Sequence, residues 1–210
     1  MHEAVRRDLV VSRSSIPLFV CRFPPLNRPS KGQRVFYNGH KRKHAIKFQG
    51  VMTPDGIFVD LHGPVPGTRH DAFLLTDSGL VPKLEGNMNS AAGEPFFIYG
   101  DPAYGLQSHI MCPYQEVSNG PLTPEMIGFN KSMSSARVAV EWGFKEMTSK
   151  WAFVDMKGQQ KIWLSPVGRH YKVATLLWLN VHGCLNGGNQ ISQYFKMKPP
   201  LLEEYLGLDN

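Results

Sequence analysis

The sequence predicts an α/β fold, because segments with strand-like and helix-like patterns alternate along the chain. A hairpin over residues 44–62 is followed by a helix over residues 70–79. A short apolar strand over residues 95–100 and a strongly periodic helix over residues 134–150 complete the alternation. Ligands of open α/β sheets gather beyond the carboxyl ends of the strands, and Asp101 directly follows one of these ends.

Turn chemistry defines the hairpin. Thr53-Pro54-Asp55-Gly56 has Pro at the second turn position and Gly at the fourth, and the flanking segments 44–52 and 57–62 have the pattern of strands. Residues 63–67, rich in Gly and Pro, are predicted to form a loop. A helix is predicted to follow this loop. Asp71 is placed to cap or open that helix, and Gly79 is placed to close it.

The clearest helical pattern covers residues 134–150. Apolar residues repeat at three- and four-residue spacing and form one stripe: Ala136, Val140, Phe144, Met147 and Trp151. Ser134 or Ser135 is the predicted cap, and Glu141 lies about 100° around the helix from Val140, at the edge of the stripe. A second helix is predicted over residues 170–185. Irregular connections are predicted over residues 83–94 and 105–130.

Residues 1–30 differ from the rest of the chain because they have no sustained period and contain four prolines, Pro17, Pro24, Pro25 and Pro29. Leu18-Phe19-Val20-Cys21 is apolar enough for a short strand. Pro24-Pro25 argues against a helix or a central strand at this point.

Composition favours a globular protein with a polyanionic partner. The 210-residue chain is 42% hydrophobic, carries a net charge of +6 and has a pI of about 9.3. These values favour nucleic acid over acidic membranes as the polyanionic partner. A generic basic soluble protein has the same charge and is the alternative. Cys21, Cys112 and Cys184 form no disulfide or zinc pattern, and neither a secretory signal nor an apolar stretch long enough to span a bilayer is recognisable. We therefore expect a soluble intracellular protein.

Three acids suit a site for a hard cation: Asp71, Asp101 and Glu141. Mg²⁺ prefers carboxylate oxygens and water, and two such ions can serve both the attacking and the leaving oxygen of a phosphodiester. Each acid also has an ordinary structural alternative. Asp101 before Pro102 can be a turn residue, Glu141 can pair with Arg137 or Lys145, and Asp71 can be an N-cap.

A small basic cluster, Lys41-Arg42-Lys43, precedes the first strand of the hairpin. It is a candidate for phosphate contacts in nucleic acid, and a solvated surface is the alternative.

Several sequence segments, taken together, resemble the DDE-type transposase domain of the PIF/Harbinger group, in the form seen in transposase-derived, endonuclease-like proteins of fungi. The resemblance runs in order over about residues 28–206 and rests on Tyr37-Asn38-Gly39-His40-Lys41-Arg42, His44-Ala45-Ile46-Lys47-Phe48-Gln49, Gly67-Thr68-Arg69-His70-Asp71, Gly100-Asp101-Pro102-Ala103-Tyr104, Phe129-Asn130-Lys131-Ser132-Met133-Ser134-Ser135-Ala136-Arg137 and Val140-Glu141-Trp142-Gly143-Phe144.

This resemblance implies a ribonuclease-H-like fold, a mixed sheet flanked by helices. It implies DNA cleavage and strand transfer that depend on Mg²⁺ or Mn²⁺, action in the nucleus, and a separate Myb-like DNA-binding partner. The family's second catalytic Asp falls on Asp101, its catalytic Glu on Glu141, and a further proposed metal ligand on Asp71.

One departure from the family pattern concerns the first catalytic Asp, which belongs to an Asp-Gly-Thr motif on the first core strand. Its slot falls near Val20, where the chain has no acid, and the only upstream Asp is Asp8. The predicted division is therefore an aberrant or truncated segment over 1–27, without the expected helix-turn-helix region, a DDE domain over 28–195 and a tail over 196–210.

Three hypotheses follow from these observations. The chain is an active metal-dependent nuclease or transposase domain, or it is an inactive relic or domesticated binding module whose fold persists. The third hypothesis is an unrelated α/β protein whose acids are structural.

Overall fold

The computed structural model describes residues 18–22, 24–90, 92–116, 120–154 and 161–208. Asp8 and most of the predicted N-terminal segment lie outside the described residues. The described part is an α/β structure, as the sequence predicts. Its strands are β1 Leu18–Arg22, β2 Tyr37–Asn38, β3 Lys43–His44, β4 Ile46–Met52, β5 Phe58–Pro66, β6 Ile98–Tyr99 and β7 Ile110–Met111.

Five of these strands form one mixed sheet in the order β5-β4-β1-β6-β7, and β2 pairs with β3 in a separate hairpin. Strand β4 is antiparallel to both β1 and β5, whereas β1, β6 and β7 are parallel to one another. Four strands therefore run in one direction and only β4 runs against them.

The first core strand, which the sequence leaves in doubt, is present as β1 in the middle of the sheet. The short strand that Leu18-Phe19-Val20-Cys21 predicts is confirmed, and Pro24-Pro25 lie beyond its end at Arg22, in no helix or named strand, as expected. Residues 18–22 of the predicted segment 1–27 thus belong to the sheet. The division of the chain at residue 27 stays a prediction.

The predicted hairpin is confirmed as β4 and β5. The loop predicted over residues 63–67 is wrong, because β5 continues to Pro66. This strand lies at the edge of the sheet and its pairing shifts register near Lys47, and these are the places where a strand tolerates proline.

The helices are α1 Gln33–Phe36, α2 Asp71–Asp77, α3 Leu80–Asn87, α4 Pro124–Lys150, α5 Val167–Thr175, α6 His182–Leu185, α7 Gln190–Phe195 and α8 Leu202–Leu206. A 3-10 turn covers Pro102–Tyr104, and a π-helical segment, Leu176–Val181, joins α5 to α6. The predicted helices at 70–79 and 170–185 are confirmed as α2 and as the continuous run from α5 to α6.

Two predicted connections are wrong. Residues 83–94 begin within α3, which forms because Leu80 and Leu84 are buried. Helix α4 starts at Pro124, well before the predicted residue 134. Thr123 caps it by accepting from the Met126 amide at 3.3 Å, so Ser134 and Ser135 are not the cap. Helices α7 and α8 lie where the sequence analysis expected no helix.

Helices cover both faces of the sheet. On one face, Phe48 and Met52 of β4 pack with Phe144 of α4 and Tyr171 of α5. On the other face, Val51 of β4 packs with apolar side chains of α2 and α3. This division follows from the two-residue period of a strand. Within the described residues, no helix combines the length and apolarity needed to cross a membrane.

Candidate active site

The sheet topology gathers the candidate residues at one edge. Strands β1, β5, β6 and β7 all end at this edge, which we call the carboxyl edge, and β4 begins there. Asp71 follows the end of β5, Asp101 follows the end of β6, and the Lys41-Arg42-Lys43 turn precedes β4. Segments far apart in sequence therefore approach one another at the place where α/β sheets bind ligands.

Asp101 is held by two donors. Its Oδ1 accepts from the Ala103 amide at 3.0 Å and so caps the 3-10 turn. Its Oδ2 accepts from Nη1 of Arg137, on α4, at 2.8 Å. The turn-residue alternative is thus confirmed as one function of Asp101, and the ion pair with α4 is an additional one.

Glu141 lies on α4 one turn beyond Arg137, about 6 Å further along the helix axis. Its side chain is exposed, and within the described part of the chain it forms no ion pair. The alternative in which Glu141 pairs with Arg137 or Lys145 is therefore wrong within the described part of the chain, because Arg137 binds Asp101 instead. Residues four apart share a helix face, so Glu141 lies on the same face of α4 as Arg137, the partner of Asp101.

Asp71 is the first residue of α2, and His70 occupies the N-cap position, so the N-cap alternative is wrong. The Asp71 carboxylate accepts from Nζ of Lys47 at 2.8 Å, and the same ammonium donates to the carbonyl of Arg69. The Lys47 side chain is only 5% exposed and that of Asp71 is 20% exposed. A buried cation of the chain itself therefore neutralises Asp71.

Cys21 of β1 and Tyr104 of the 3-10 turn share a hydrogen bond of 2.7 Å, and both lie close enough to Asp71 and Asp101 for these charges to act on them. Burial, and then the negative charge of Asp71, raises the pKa of the Cys21 thiol to about 12, with a smaller contribution from Asp101. Burial also raises the pKa of Tyr104. Both aspartates therefore lie near the same thiol, and the thiol remains protonated at neutral pH.

The slot for the first catalytic Asp can be located from the register. Leu18 of β1 lies opposite Tyr99 of β6 in parallel register, and Val20 lies opposite Gly50 of β4. Val20 and Asp101 each lie two residues beyond this pair on their own chain segments, so the slot near Val20 lies towards the end of β6 that Asp101 follows. The chain has no acid in this slot.

The Lys41-Arg42-Lys43 cluster forms the exposed tip of the β2–β3 hairpin. The Lys41 amide donates to Asn38 Oδ1 at 2.8 Å, and Arg42 has a left-handed backbone with φ of 51°. Among the described residues none of the three makes an ion pair, so all three charges face solvent. The tip can therefore approach a polyanion without losing internal contacts.

The donors suit a hard cation in their chemistry, because Asp71, Asp101 and Glu141 all offer carboxylate oxygens. Their arrangement fits less well. Lys47 and Arg137 already neutralise two of the acids, and the described part of the chain has no group of three or more His, Cys, Asp or Glu side chains placed to hold a metal ion.

Sequence reasoning missed two residues that shape this site. The sequence analysis treats Lys47 only as a basic residue near the Lys41-Arg42-Lys43 cluster, although a lone lysine between Ile46 and Phe48 in an apolar strand is itself a signal of a buried ion pair. Arg137 was considered only as a partner of Glu141, because helical spacing reports local neighbours and not a carboxylate at the end of a distant strand.

Comparisons with known proteins agree with the resemblance. A family model described as DDE superfamily endonuclease matches residues 20–178, more than half of the chain. The protein named Protein ALP1-like of Arabidopsis thaliana is 26% identical over 140 residues, which cover 62% of this chain and 33% of that protein. The chain thus spans about a third of the length of this relative. No solved structure matches.

Proposed function

Because this chain belongs to the DDE superfamily endonucleases, we propose that it is a DNA endonuclease or transposase-type catalytic domain dependent on a divalent metal. Asp101 and Glu141 are its proposed catalytic residues, and Asp71 is a proposed further metal ligand. The observation that carries the proposal is the sheet topology, in which Asp71, Asp101 and the basic hairpin tip all flank strand ends at the carboxyl edge, with Glu141 one turn of α4 beyond Arg137, the ion-pair partner of Asp101.

The fold we propose is ribonuclease-H-like. A five-stranded mixed sheet in which only β4 runs against the others, with helices on both faces, supports this assignment. The position of β1 supports it as well. In the family, the first catalytic Asp belongs to the first core strand, and β1, the first strand of this sheet, lies at its centre.

Each residue has a proposed task. Asp101 and Glu141, with Asp71, would hold Mg²⁺ or Mn²⁺, which would activate water or a DNA 3′-hydroxyl and stabilise the leaving oxygen. Arg137 fixes the orientation of the Asp101 carboxylate through its 2.8 Å hydrogen bond. Lys41, Arg42 and Lys43 would neutralise DNA phosphates, and this binding would weaken as salt rises. The proposed place of action is the nucleus, with a Myb-like protein as the proposed source of sequence recognition.

A second candidate function is an inactive relic or domesticated binding module. It is favoured by the absence of an acid near Val20, the slot to which the family resemblance assigns the first catalytic Asp. It is also favoured by the ion pairs of Asp71 and Asp101, which satisfy both carboxylates without a metal. Losing one of three acids removes part of the charge that positions a metal ion.

Nicking of supercoiled plasmid in Mn²⁺ separates the two candidates. The purified chain is compared with Asp101→Asn, with Val20→Asp, and with Asp77→Asn as a control acid outside the site, all checked for folding by circular dichroism. Nicking by the natural chain that is lost in Asp101→Asn and kept in Asp77→Asn supports the endonuclease.

Two other outcomes argue against an active natural chain. Nicking that appears only in Val20→Asp supports a relic whose site lacks a single acid. No nicking from any folded variant overturns the catalytic proposal and leaves the binding module. Nicking by the natural chain that survives Asp101→Asn overturns the assignment of Asp101.

A further inference from the structure

A groove of about 630 Å³ lies beside Glu141, and the residues proposed for catalysis do not line it. It runs between α4 and the segments that carry the π-helical turn, α6 and α7. Its lining consists of Trp142, Lys145, Glu146, Ser149, Trp178, His182, Gly188, Asn189, Gln190 and Gln193. A volume of this size suits one or two nucleotide units, because small-molecule sites span about 300–1,000 Å³.

Aromatic rings provide the apolar surface of this groove. Trp142 is 39% exposed, and Tyr194 meets it edge-on at 5.9 Å between ring centroids. Trp178 stacks on His182 at 4.0 Å with 20° between the ring planes. Exposed tryptophan surface is costly in water and is the surface on which unpaired bases stack.

The polar groups of the groove suit a nucleobase better than an aliphatic ligand. Glu146 lines the groove, and its Oε2 is buried without a hydrogen-bond partner among the described residues, so this carboxylate has an acceptor that a donor can still satisfy. The amides of Gln190 and Gln193 offer both donors and acceptors. A carboxylate accepts well from the amino group of cytosine, whereas thymine presents a carbonyl oxygen at the same position.

The position of the groove connects it to the proposed site. Trp142 directly follows Glu141 in α4, and Lys145 lies one helical turn beyond Glu141 on the same face. A strand whose phosphate lies at Glu141 would therefore bring its next bases to the groove, with the Lys145 ammonium near the backbone.

We propose that this groove binds an unpaired DNA base, stacked on Trp142 and preferring cytosine over thymine through Glu146. The inference rests on the proposed function for the identity of the polymer as DNA. It does not require cleavage, because the contacts involve no metal ion.

The test is binding of fluorescein-labelled oligocytidylate and oligothymidylate to the whole chain, followed by fluorescence anisotropy in EDTA at mildly alkaline pH. We expect the cytosine strand to bind more tightly. Trp142→Ala should weaken binding of both strands about fivefold to a hundredfold, the loss expected for one base–aromatic stack. Glu146→Gln, which has nearly the same shape, should remove the preference for cytosine.

Matched controls exist on the same chain. Trp163 is 68% exposed and does not line the groove, and Glu125 is an acid at the exposed start of α4, so Trp163→Ala and Glu125→Gln should leave both dissociation constants unchanged. Equal losses in Trp142→Ala and Trp163→Ala would overturn the inference, as would a cytosine preference that survives Glu146→Gln or no binding by the natural chain.

If Trp142→Ala does not fold, Trp142→Phe and Glu146→Gln decide the question. The smaller ring should weaken binding by less than tenfold, and the loss of cytosine preference in Glu146→Gln remains the requirement. Because the binding assay contains EDTA, it is independent of the nicking assay in Mn²⁺. Base binding without nicking would uphold this inference and refute only the catalytic proposal. Nicking without a base preference would uphold the catalytic proposal and overturn this inference.

Discussion

Replacing Lys47 with methionine removes the buried cation that holds Asp71. Methionine keeps the apolar stem of the side chain, so the main loss is the charged hydrogen bond of 2.8 Å and the donation to Arg69. Breaking a fully buried ion pair costs about 3–5 kcal/mol, and a hydrogen bond to a charged group contributes about 1.5–3 kcal/mol. Asp71 retains 20% exposure, which lets water replace part of the lost contact. We therefore expect a loss of about 2–3 kcal/mol in the free energy of unfolding.

Urea unfolding of the natural chain, Lys47→Met, Asp71→Asn and the double variant measures this loss and its coupling. The double variant should be less destabilised than the sum of the single variants, because no unpaired carboxylate remains. A loss below about 0.5 kcal/mol in Lys47→Met, or strictly additive single effects, would refute the reasoning, since either result would place the pair at the level of an ordinary surface ion pair.

The same variant tests whether Asp71 binds metal. If Asp71 is a ligand, Mn²⁺ should restore part of the stability of Lys47→Met, because the ion supplies the missing positive charge. Restoration should disappear in the double variant. No restoration in an otherwise folded Lys47→Met would make Asp71 a structural acid only.

Two further predictions concern the core around the site. Because the Cys21 thiol has a pKa raised from 9.0 to about 12, the folded state keeps a proton that the unfolded state releases. The free energy of unfolding should therefore fall as pH rises from about 9 towards 12, more steeply in the natural chain than in Cys21→Ala, and equal slopes in a urea series would contradict this. Phe144 is fully buried, with its ring centroid 4.8 Å from that of Phe58, so Phe144→Ala should lose about 3–5 kcal/mol in urea unfolding. The control Val138→Ala, at a half-exposed position of the same helix, should lose under about 1 kcal/mol, and similar losses in both would refute the assigned core.

Local patterns predicted the elements that depend on local chemistry. The turn Thr53-Pro54-Asp55-Gly56 and the apolar stripe of α4 led to the hairpin and to the long helix. The motif around Asp101 placed it at a strand end. Boundaries were predicted less well because tertiary contacts set them. Helix α4 extends back to Pro124, and β5 continues through prolines that only an edge strand tolerates.

The sequence by itself determined the α/β class, the family, and Asp101 and Glu141 as the acids to test, because these follow from periodicity, turn chemistry and motif context. Only the tertiary structure decided that β1 is the central strand, that Arg137 binds Asp101, and that a buried Lys47 binds Asp71. It also formed the groove beside Trp142. The physical reason is the separation along the chain between the residues involved. Periodicity depends on neighbouring residues and reports which face of an element is apolar. Strand register and ion pairs join distant segments and arise only when those faces pack together.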